Sequence, residues 1–201
     1  SEISRMLLEY AACGGHSPKS ILIRQGERCD DVILVLVGKA RAVMVTADGR
    51  AFRLGDYIVG DLFGAIEGVK GQRAEVAVVE TMETARFQAM AFFDLAERFN
   101  CVALTLSRSL LRQVSHLSDL LGARVSLSAA GRVYAELSRL AVDEEGRIIP
   151  APTVTELALR AQTTRETASR AMSALERRRI VERSGTSLVI ASRRRLEELI
   201  V

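Results

Sequence analysis

Between residues 21 and 87 the chain sets short runs of Val, Ile and Leu between turns rich in Gly and Asp. Residues 21–23 precede the turn Gln25-Gly26-Glu27. Residues 32–37, VILVLV, read as a buried strand closed by Gly38, and residues 40–45 lead into Asp48-Gly49, a strong hairpin signal. Residues 52–54, 57–59, 74–80 and 84–88 are further candidate strands, about eight in all, and many short strands with regular turns predict an antiparallel sandwich or barrel. Before them, Ile3, Met6, Leu7 and Tyr10 recur at helical spacing. Residues 11–20, with Gly14, Gly15 and Pro18, read as a loop in which His16 faces solvent.

After residue 88 the period becomes that of a helix. Phe92, Phe93, Leu95 and Ala96 mark a short helix over residues 90–98, and a long one runs from Asn100 or Cys101 to about Ser126. Its apolar positions fit a seven-residue repeat. Leu104, Leu111, Ser118 and Val125 share one register, and Ser107, Val114 and Leu121 the other, the a/d stripe of a coiled-coil seam. Leu106, Leu110, Leu117 and Leu120 form a second apolar face, so the helix can pack on its own strands and also pair with a second copy. Residues 122–128 hold the expected hinge, with Ser128 capping a helix over residues 129–141. Residues 142–152 are acidic, then contain Gly and Pro, and read as a loop with a short strand at 147–149.

Residues 153–179, TVTELALRAQTTRETASRAMSALERRR, read as two short helices joined by a tight turn. Thr153 and Glu156 have the spacing of a capping box, and Val154, Leu157 and Ala161 share one face. Gln162-Thr163-Thr164 breaks the pattern. Thr164 then caps a second helix, ending near Arg177, whose Ala168, Met172 and Leu175 point inward. Outward, at its N-terminal end, stand Arg165, Glu166, Ser169 and Arg170. A major groove admits one α-helix, read through its first turns; Arg suits the two acceptors of guanine, and Glu accepts from the amino group of cytosine. Taken alone, the same charges also fit an ordinary solvated face with i, i+4 pairing of Glu166 and Arg170. The β-branched runs flanking Ser184-Gly185-Thr186-Ser187 read as a hairpin, and a two-helix reader followed by a hairpin is a winged helix-turn-helix. Residues 193–201 read as a final helix whose Arg193-Arg194-Arg195 is solvated rather than phosphate-bound.

Composition sharpens this picture. With 48% hydrophobic and 4% aromatic residues and no Trp, the cores are aliphatic, and 201 residues allow one large or two small domains. No apolar run approaches about 18 residues and no signal peptide is evident, so a cytoplasmic protein without a membrane partner is expected. Cys13, Cys29 and Cys101 lack metal-ligand or paired spacing and read as free thiols. His16 and His116 are isolated, and no nucleophile elbow, P-loop or metal pair appears, so neither an enzyme nor a metal site is expected. The net charge is +3, and it is localised: residues 131–201 carry 13 Arg, no Lys and 10 acidic residues, whereas residues 1–130 carry 15 of each sign. Such an Arg excess would bind phosphates with a steep salt dependence.

The order of these last elements and the run TTRETASR, residues 163–170, resemble the DNA-binding domain of the cyclic-AMP receptor protein/FNR (CRP/FNR) family of bacterial transcription regulators. The upstream segment QGERCDDVILVLVGKARAV resembles that family's β-roll, with Gly26, Glu27, Asp30 and Gly38 in the places of its pattern, so the resemblance covers nearly the whole chain. It implies an α+β protein: an N-terminal antiparallel β-roll (a jelly-roll-like cyclic-nucleotide-binding domain) over residues 1–99, a long dimerisation helix and hinge over 100–127, and a C-terminal winged helix-turn-helix over 128–201. It also implies a homodimeric, sequence-specific DNA-binding regulator whose R-E-x-x-x-R pattern, here Arg165, Glu166 and Arg170 beside Thr164 and Ser169, contacts the operator. The implied partners are double-stranded DNA, a second copy and, for an activator, RNA polymerase. Two recognition helices about 34 Å apart would read half-sites one helical turn apart.

The resemblance weakens at the effector pocket. Family members that bind cyclic AMP carry F-G-E-L, then about seven residues, then R-[ST]-A; the Glu takes a ribose hydroxyl, the Arg pairs with the phosphate and the hydroxyl donates to it. This chain has Phe63-Gly64-Ala65-Ile66 and Arg73-Ala74-Glu75. Phe63, Gly64 and Arg73 match, while Ala65 and Ala74 remove two of the three polar contacts; Glu67 would substitute only if its loop shifted. Ser118 falls where the family places a base-contacting hydroxyl. The expectation is a degenerate cassette: a cyclic nucleotide is a candidate effector, ordinary cyclic-AMP binding is lost or much weakened, and another effector or none takes its place. The N-terminal cysteine group of the family's iron–sulfur members is absent, so no such cluster is expected. The competing reading is a ligand-sensing module whose winged helix docks a protein partner.

Overall fold

The computed structural model describes residues 7, 9–65, 71–141, 143 and 146–200 and divides into two compact units, Ser1–Leu117 and Ser118–Val201. The helix expected over residues 1–10 lies largely outside the described residues; Leu7 and Glu9 are helical.

The first unit is an antiparallel roll of β1 (Ala12–His16), β2 (Ile21–Ile23), β3 (Asp31–Val45), β4 (Ala51–Tyr57), β5 (Leu62–Gly64) and β6 (Glu75–Gln88). β6 lies between β1 and β3, and β4 lies on the far side of β3; β2 joins β6 and β5 joins β3. The strands are fewer and longer than the sequence pattern predicts. Residues 32–37 and 40–45 belong to one strand, as do 75–80 and 84–88, with Ala74 just before it. Irregular register between Val35 and Ala40 bends both without ending them. Gly38 makes the bend feasible: its φ is 81°, and a Cβ there would collide with the Thr81 carbonyl. The strand expected at 57–59 stops at Tyr57, where β4 ends. Residues 11–20 are not all loop, because β1 pairs with the end of β6. His16 is therefore half-buried, with Nε2 2.9 Å from Thr84 Oγ1, and burial together with Arg86 lowers its pKa.

Alternation along the strands builds two cores. Ile33, Val35, Ala40 and Ala42 turn inward with Phe63, Val76, Val78 and Met82. Val32, Leu62, Ala85 and Phe87 instead pack against α1 (Ala89–Arg98) through Phe92 and Leu95, and against Val102 of α2 (Asn100–Ser126).

The second unit contains α3 (Ala129–Leu140), β7 (Arg147–Ile148), α4 (Val154–Arg160), α5 (Arg165–Arg177), β8 (Val181–Ser184), β9 (Ser187–Ile190) and α6 (Arg193–Glu197). Its sheet runs β7-β9-β8. One core joins Val133 and Leu137 of α3, Leu157 of α4, Met172 and Leu175 of α5, Leu188 of β9 and Leu196 of α6. Truncating any of these leucines to Ala should cost about 2–5 kcal/mol. The final helix is shorter than expected, ending at Glu197 rather than 201. Ser192 accepts from the Arg195 amide at its start. Among the described residues no helix is long and apolar enough to cross a membrane. The architecture is α+β: an antiparallel roll, a long helix and a winged helix-turn-helix.

Candidate nucleic-acid interface

Two threonines start the reading head. Thr153 Oγ1 accepts from the Glu156 amide at 3.2 Å while the Glu156 carboxylate accepts from the Thr153 amide at 2.8 Å, closing a capping box. Thr164 Oγ1 accepts from the Thr167 amide at 3.2 Å. Each cap contributes about 1 kcal/mol to its helix. Between them Gln162 takes a φ of 49° and the Thr163 amide returns to the Ala158 carbonyl at 2.9 Å, which turns the chain sharply into α5.

α5 buries Ala168, Ala171, Met172 and Leu175. Helical spacing then sends Arg165, Glu166, Ser169 and Arg170 to the opposite side, where all four are exposed. Ser173, not singled out from sequence, prolongs that exposed row by one turn. Glu166 and Arg170 lie 3.5 Å apart and both stand well into solvent. Such a pair contributes a few tenths of a kcal/mol and opens easily. Arg165 has no ion-pair partner among the described residues. Thr164 differs from the other four, because its hydroxyl is engaged as the cap.

The hairpin turns at Gly185, φ 59°. The triple arginine that follows is not simply solvated. Arg193 donates to the Ala141 carbonyl, Arg194 pairs with Glu198 at 3.1 Å and Arg195 donates to the Arg178 carbonyl at 3.3 Å, so the run ties α6 to α3 and α5. On the frame behind α5, Glu136 of α3 is held by Arg139 at 2.7 Å and Arg160 of α4 at 3.1 Å. Burial alone would raise its pKa, but the bonds and charges of the two guanidiniums lower it below the usual carboxylate range.

α2 has two contrasting faces. Toward the roll, Ser109 Oγ accepts from the Leu62 amide at 3.0 Å and Gln113 donates to the Leu62 carbonyl at 3.0 Å. Arg112 clasps Asp61 at 2.6 and 3.1 Å, and the second Asp61 oxygen accepts from the Ile58 amide at 2.9 Å. Asp61 is only 4% exposed. This clip was not foreseen from sequence, although Val59-Gly60-Asp61-Leu62 also fits the F-G-E-L form with Asp in the acidic place. The second apolar face is correspondingly smaller than expected. Leu106 packs on the roll core and Leu120 is half-buried, but Leu110 and Leu117 are exposed, because polar Ser109 and Gln113 take the roll-facing positions. On the other side Leu104, Leu111 and Val114 are exposed in the first unit, as are Leu121 and Val125 in the second, Val125 at 89%. Ser107 and Ser118 are exposed within the same stripe.

The cassette residues separate by environment. Phe63 is buried and stacks on Tyr57 at 4.5 Å. Gly64 lies so close to the Asp31 carbonyl that a Cβ would collide with it, and Ala65 packs on the core beneath α1. Gln72 donates to the Gly64 carbonyl at 3.1 Å, which brings the two halves of the pattern together. Arg73 is exposed and has no ion-pair partner among the described residues, and Ala74 is half-buried. Ile66 and Glu67 lie outside the described residues, and Ser118 belongs to the second unit. A cleft of about 510 Å3 in the first unit is lined by Arg24, Gln25, Gly26, Val43, Val45 and Glu75, but not by Phe63, Gly64, Ala65, Arg73 or Ala74.

A β-roll, a long helix and a winged helix-turn-helix with an exposed polar row at the start of its second helix define a class: an effector-type domain coupled to a DNA reader. Residues 131–199 match the Crp-like helix-turn-helix domain, and residues 16–114 match the cyclic nucleotide-binding domain. The chain belongs to the CRP/FNR family of transcription regulators. It is 24% identical over 195 residues to the cAMP-activated global transcriptional regulator Vfr of Pseudomonas aeruginosa, covering 92% of this chain and 91% of Vfr. Lysophospholipase NTE1 of Coccidioides immitis is 27% identical over 101 residues, but the match takes in 49% of this chain and spans only 6% of that protein's length. Among solved structures, FixK2 from Bradyrhizobium japonicum superposes with a TM-score of 0.72 at 22% identity, covering 95% of this chain and 98% of that one. The c-di-GMP responsive regulator CLP of Xanthomonas campestris superposes with a TM-score of 0.81 at 17% identity, covering 95% and 99%.

Proposed function

We propose that this regulator is a cytoplasmic homodimer that reads DNA sequence with the N-terminal turns of α5. Arg165, Glu166, Ser169 and Arg170 meet base edges in the major groove, and Thr164 holds the helix start beside the backbone. The observation that carries this reading is the exposed polar row on a helix whose opposite face is buried in the core. Its groups are spaced for adjacent bases and are weakly paired within the protein. The bare stripe of Leu104, Leu111, Val114, Leu121 and Val125 is where a second copy packs, with Ser107 and Ser118 as small seam positions. Pairing there gives two α5 helices for two half-sites. The division into roll (1–99), helix and hinge (100–127) and reader (128–201) follows this assignment of roles.

The protein binds and does not catalyse. RNA polymerase is its partner if it activates. Vfr is by name activated by cyclic AMP, but Ala65 and Ala74 offer a nucleotide neither the acceptor nor the donor of the cassette, and Asp61 is already engaged by Arg112 and the Ile58 amide, so ordinary cyclic-AMP binding is absent or weak here. Selection of sites from random duplex DNA, with and without cyclic AMP, tests both points. The expected result is a two-fold symmetric site whose enrichment is unchanged by the nucleotide. Failure to enrich any sequence would transfer the winged helix to protein docking, and enrichment only with cyclic AMP would restore the pocket.

A further inference from the structure

The turn that launches α5 is held by a side chain outside its own two helices. Arg132, in the first turn of α3, is half-buried and spreads its guanidinium over three carbonyls. Nε donates to Ala161 at 2.9 Å, Nη2 to Gln162 at 3.2 Å and Nη1 to Leu127 at 3.1 Å. Ala161 and Gln162 follow the last turn of α4, where carbonyls lack helical partners and the helix dipole is negative. Gln162 also sits in the left-handed region at a φ of 49°, a conformation a non-glycine residue keeps only when its surroundings hold it. Leu127 is the residue between α2 and Ser128, the N-cap of α3. Two residues after Gln162 comes Thr164, and then Arg165.

A single group thus spans the α2–α3 junction and the turn from which the recognition helix departs. The guanidinium suits the task, because its planar fork aims several N–H bonds in fixed directions, whereas a Lys ammonium is a compact point donor on a flexible stem. Burial, and then the neighbouring Arg124, lower the pKa of Arg132, so the charge is kept there against an opposing environment. The hydrophobic cluster of the second unit, centred on Leu137, Leu157 and Leu175, is built from other residues.

We propose that Arg132 is a positioning residue for DNA reading: it locks the α4–α5 turn to the α2–α3 junction and so sets the direction in which α5 presents Arg165, Glu166 and Arg170. The inference rests on the reading of α5 as the recognition helix. Base readout depends on hydrogen-bond geometry, while attraction to phosphate tolerates a loosened helix. Loss of the lock should therefore lower specific binding selectively.

The test uses the full chain with Arg132→Lys, which keeps the charge, and Arg132→Ala. Amide exchange at Thr163, affinity for the selected site, affinity for random duplex at the same salt, and the thermal midpoint are measured together. For Arg132→Lys, Thr163 exchange should quicken while amides in the middle of α5 stay protected. Selected-site affinity should fall by about tenfold, with random-duplex affinity changed less than about twofold. Arg132→Ala should show the same pattern, enlarged. Unchanged Thr163 exchange in Arg132→Lys, or equal losses on both DNAs, would overturn the proposal. If the wild-type chain preferred no sequence, the reading of α5 would fall, whereas the exchange measurement would still decide whether the lock exists.

Discussion

Glu136 on α3 and Glu166 on α5 each face arginines within the same unit, yet their surroundings differ. Glu136 is largely buried between Arg139 and Arg160, at 2.7 and 3.1 Å, and its carboxyl is held below the usual range. Among the described residues Glu166 pairs with Arg170 alone, at 3.5 Å, and both stand in solvent. Removing one member of a buried grouping leaves charge unpaired in a poor solvent, whereas an exposed pair contributes little and exchanges partners freely. The contrast separates frame from reader: polar groups that join α3 to α4 are enclosed and saturated, while those placed to meet a base are left weakly paired.

Four experiments bear on that contrast. The largest effect should come from outside both groupings. Leu111→Glu with Leu121→Glu would put charge into the bare stripe of α2, and sedimentation should find monomers. Specific DNA affinity should then fall by about a hundredfold or more as the second reading helix is lost. Glu136→Ala should destabilise the second unit by about 2–3 kcal/mol in denaturant unfolding, through the stranded Arg160. A loss below about 0.5 kcal/mol would make Glu136 no different from a surface residue. Arg170→Ala should reverse this pattern, costing about 1–3 kcal/mol of specific DNA binding and less than about 0.5 kcal/mol of stability; equal losses on random DNA would remove the case for base readout. The smallest effect concerns acid. Because the folded pKa of Glu136 lies below its ordinary 4.5, its contribution is complete above that value and is lost as pH falls through the folded one. Melting curves of Glu136→Gln should therefore fall less steeply with acid than those of the wild type.

The reading head was legible because its signals are local. Thr153 with Glu156, Thr164 at the next start and the inward Ala168, Met172 and Leu175 are separated by three or four residues, the distance over which helical geometry acts. The hairpin at Gly185 is equally local. The roll was legible as a class but not in detail. Whether Gly38 ends a strand or bends it depends on Thr81, more than forty positions away in the chain. His16 looked like a loop residue because nothing near it in sequence announces its contact with Thr84. The α2 pattern marked Leu110 and Leu117 as apolar without showing which way they turn.

The chain by itself determined the α+β class, the winged helix-turn-helix and the residues that can stand at the start of α5, because caps, periodicity and turn chemistry act within a few residues. Only the tertiary structure decided that Asp61 is enclosed by Ser109 and Arg112, that the outer stripe of α2 is left bare, and that Arg132 gathers three carbonyls around the turn before α5. Apart from the bond to Leu127, the hydrogen bonds of that kind join residues about thirty to fifty positions apart. Their strength depends on the exclusion of water, which exists only once the strands and helices have packed.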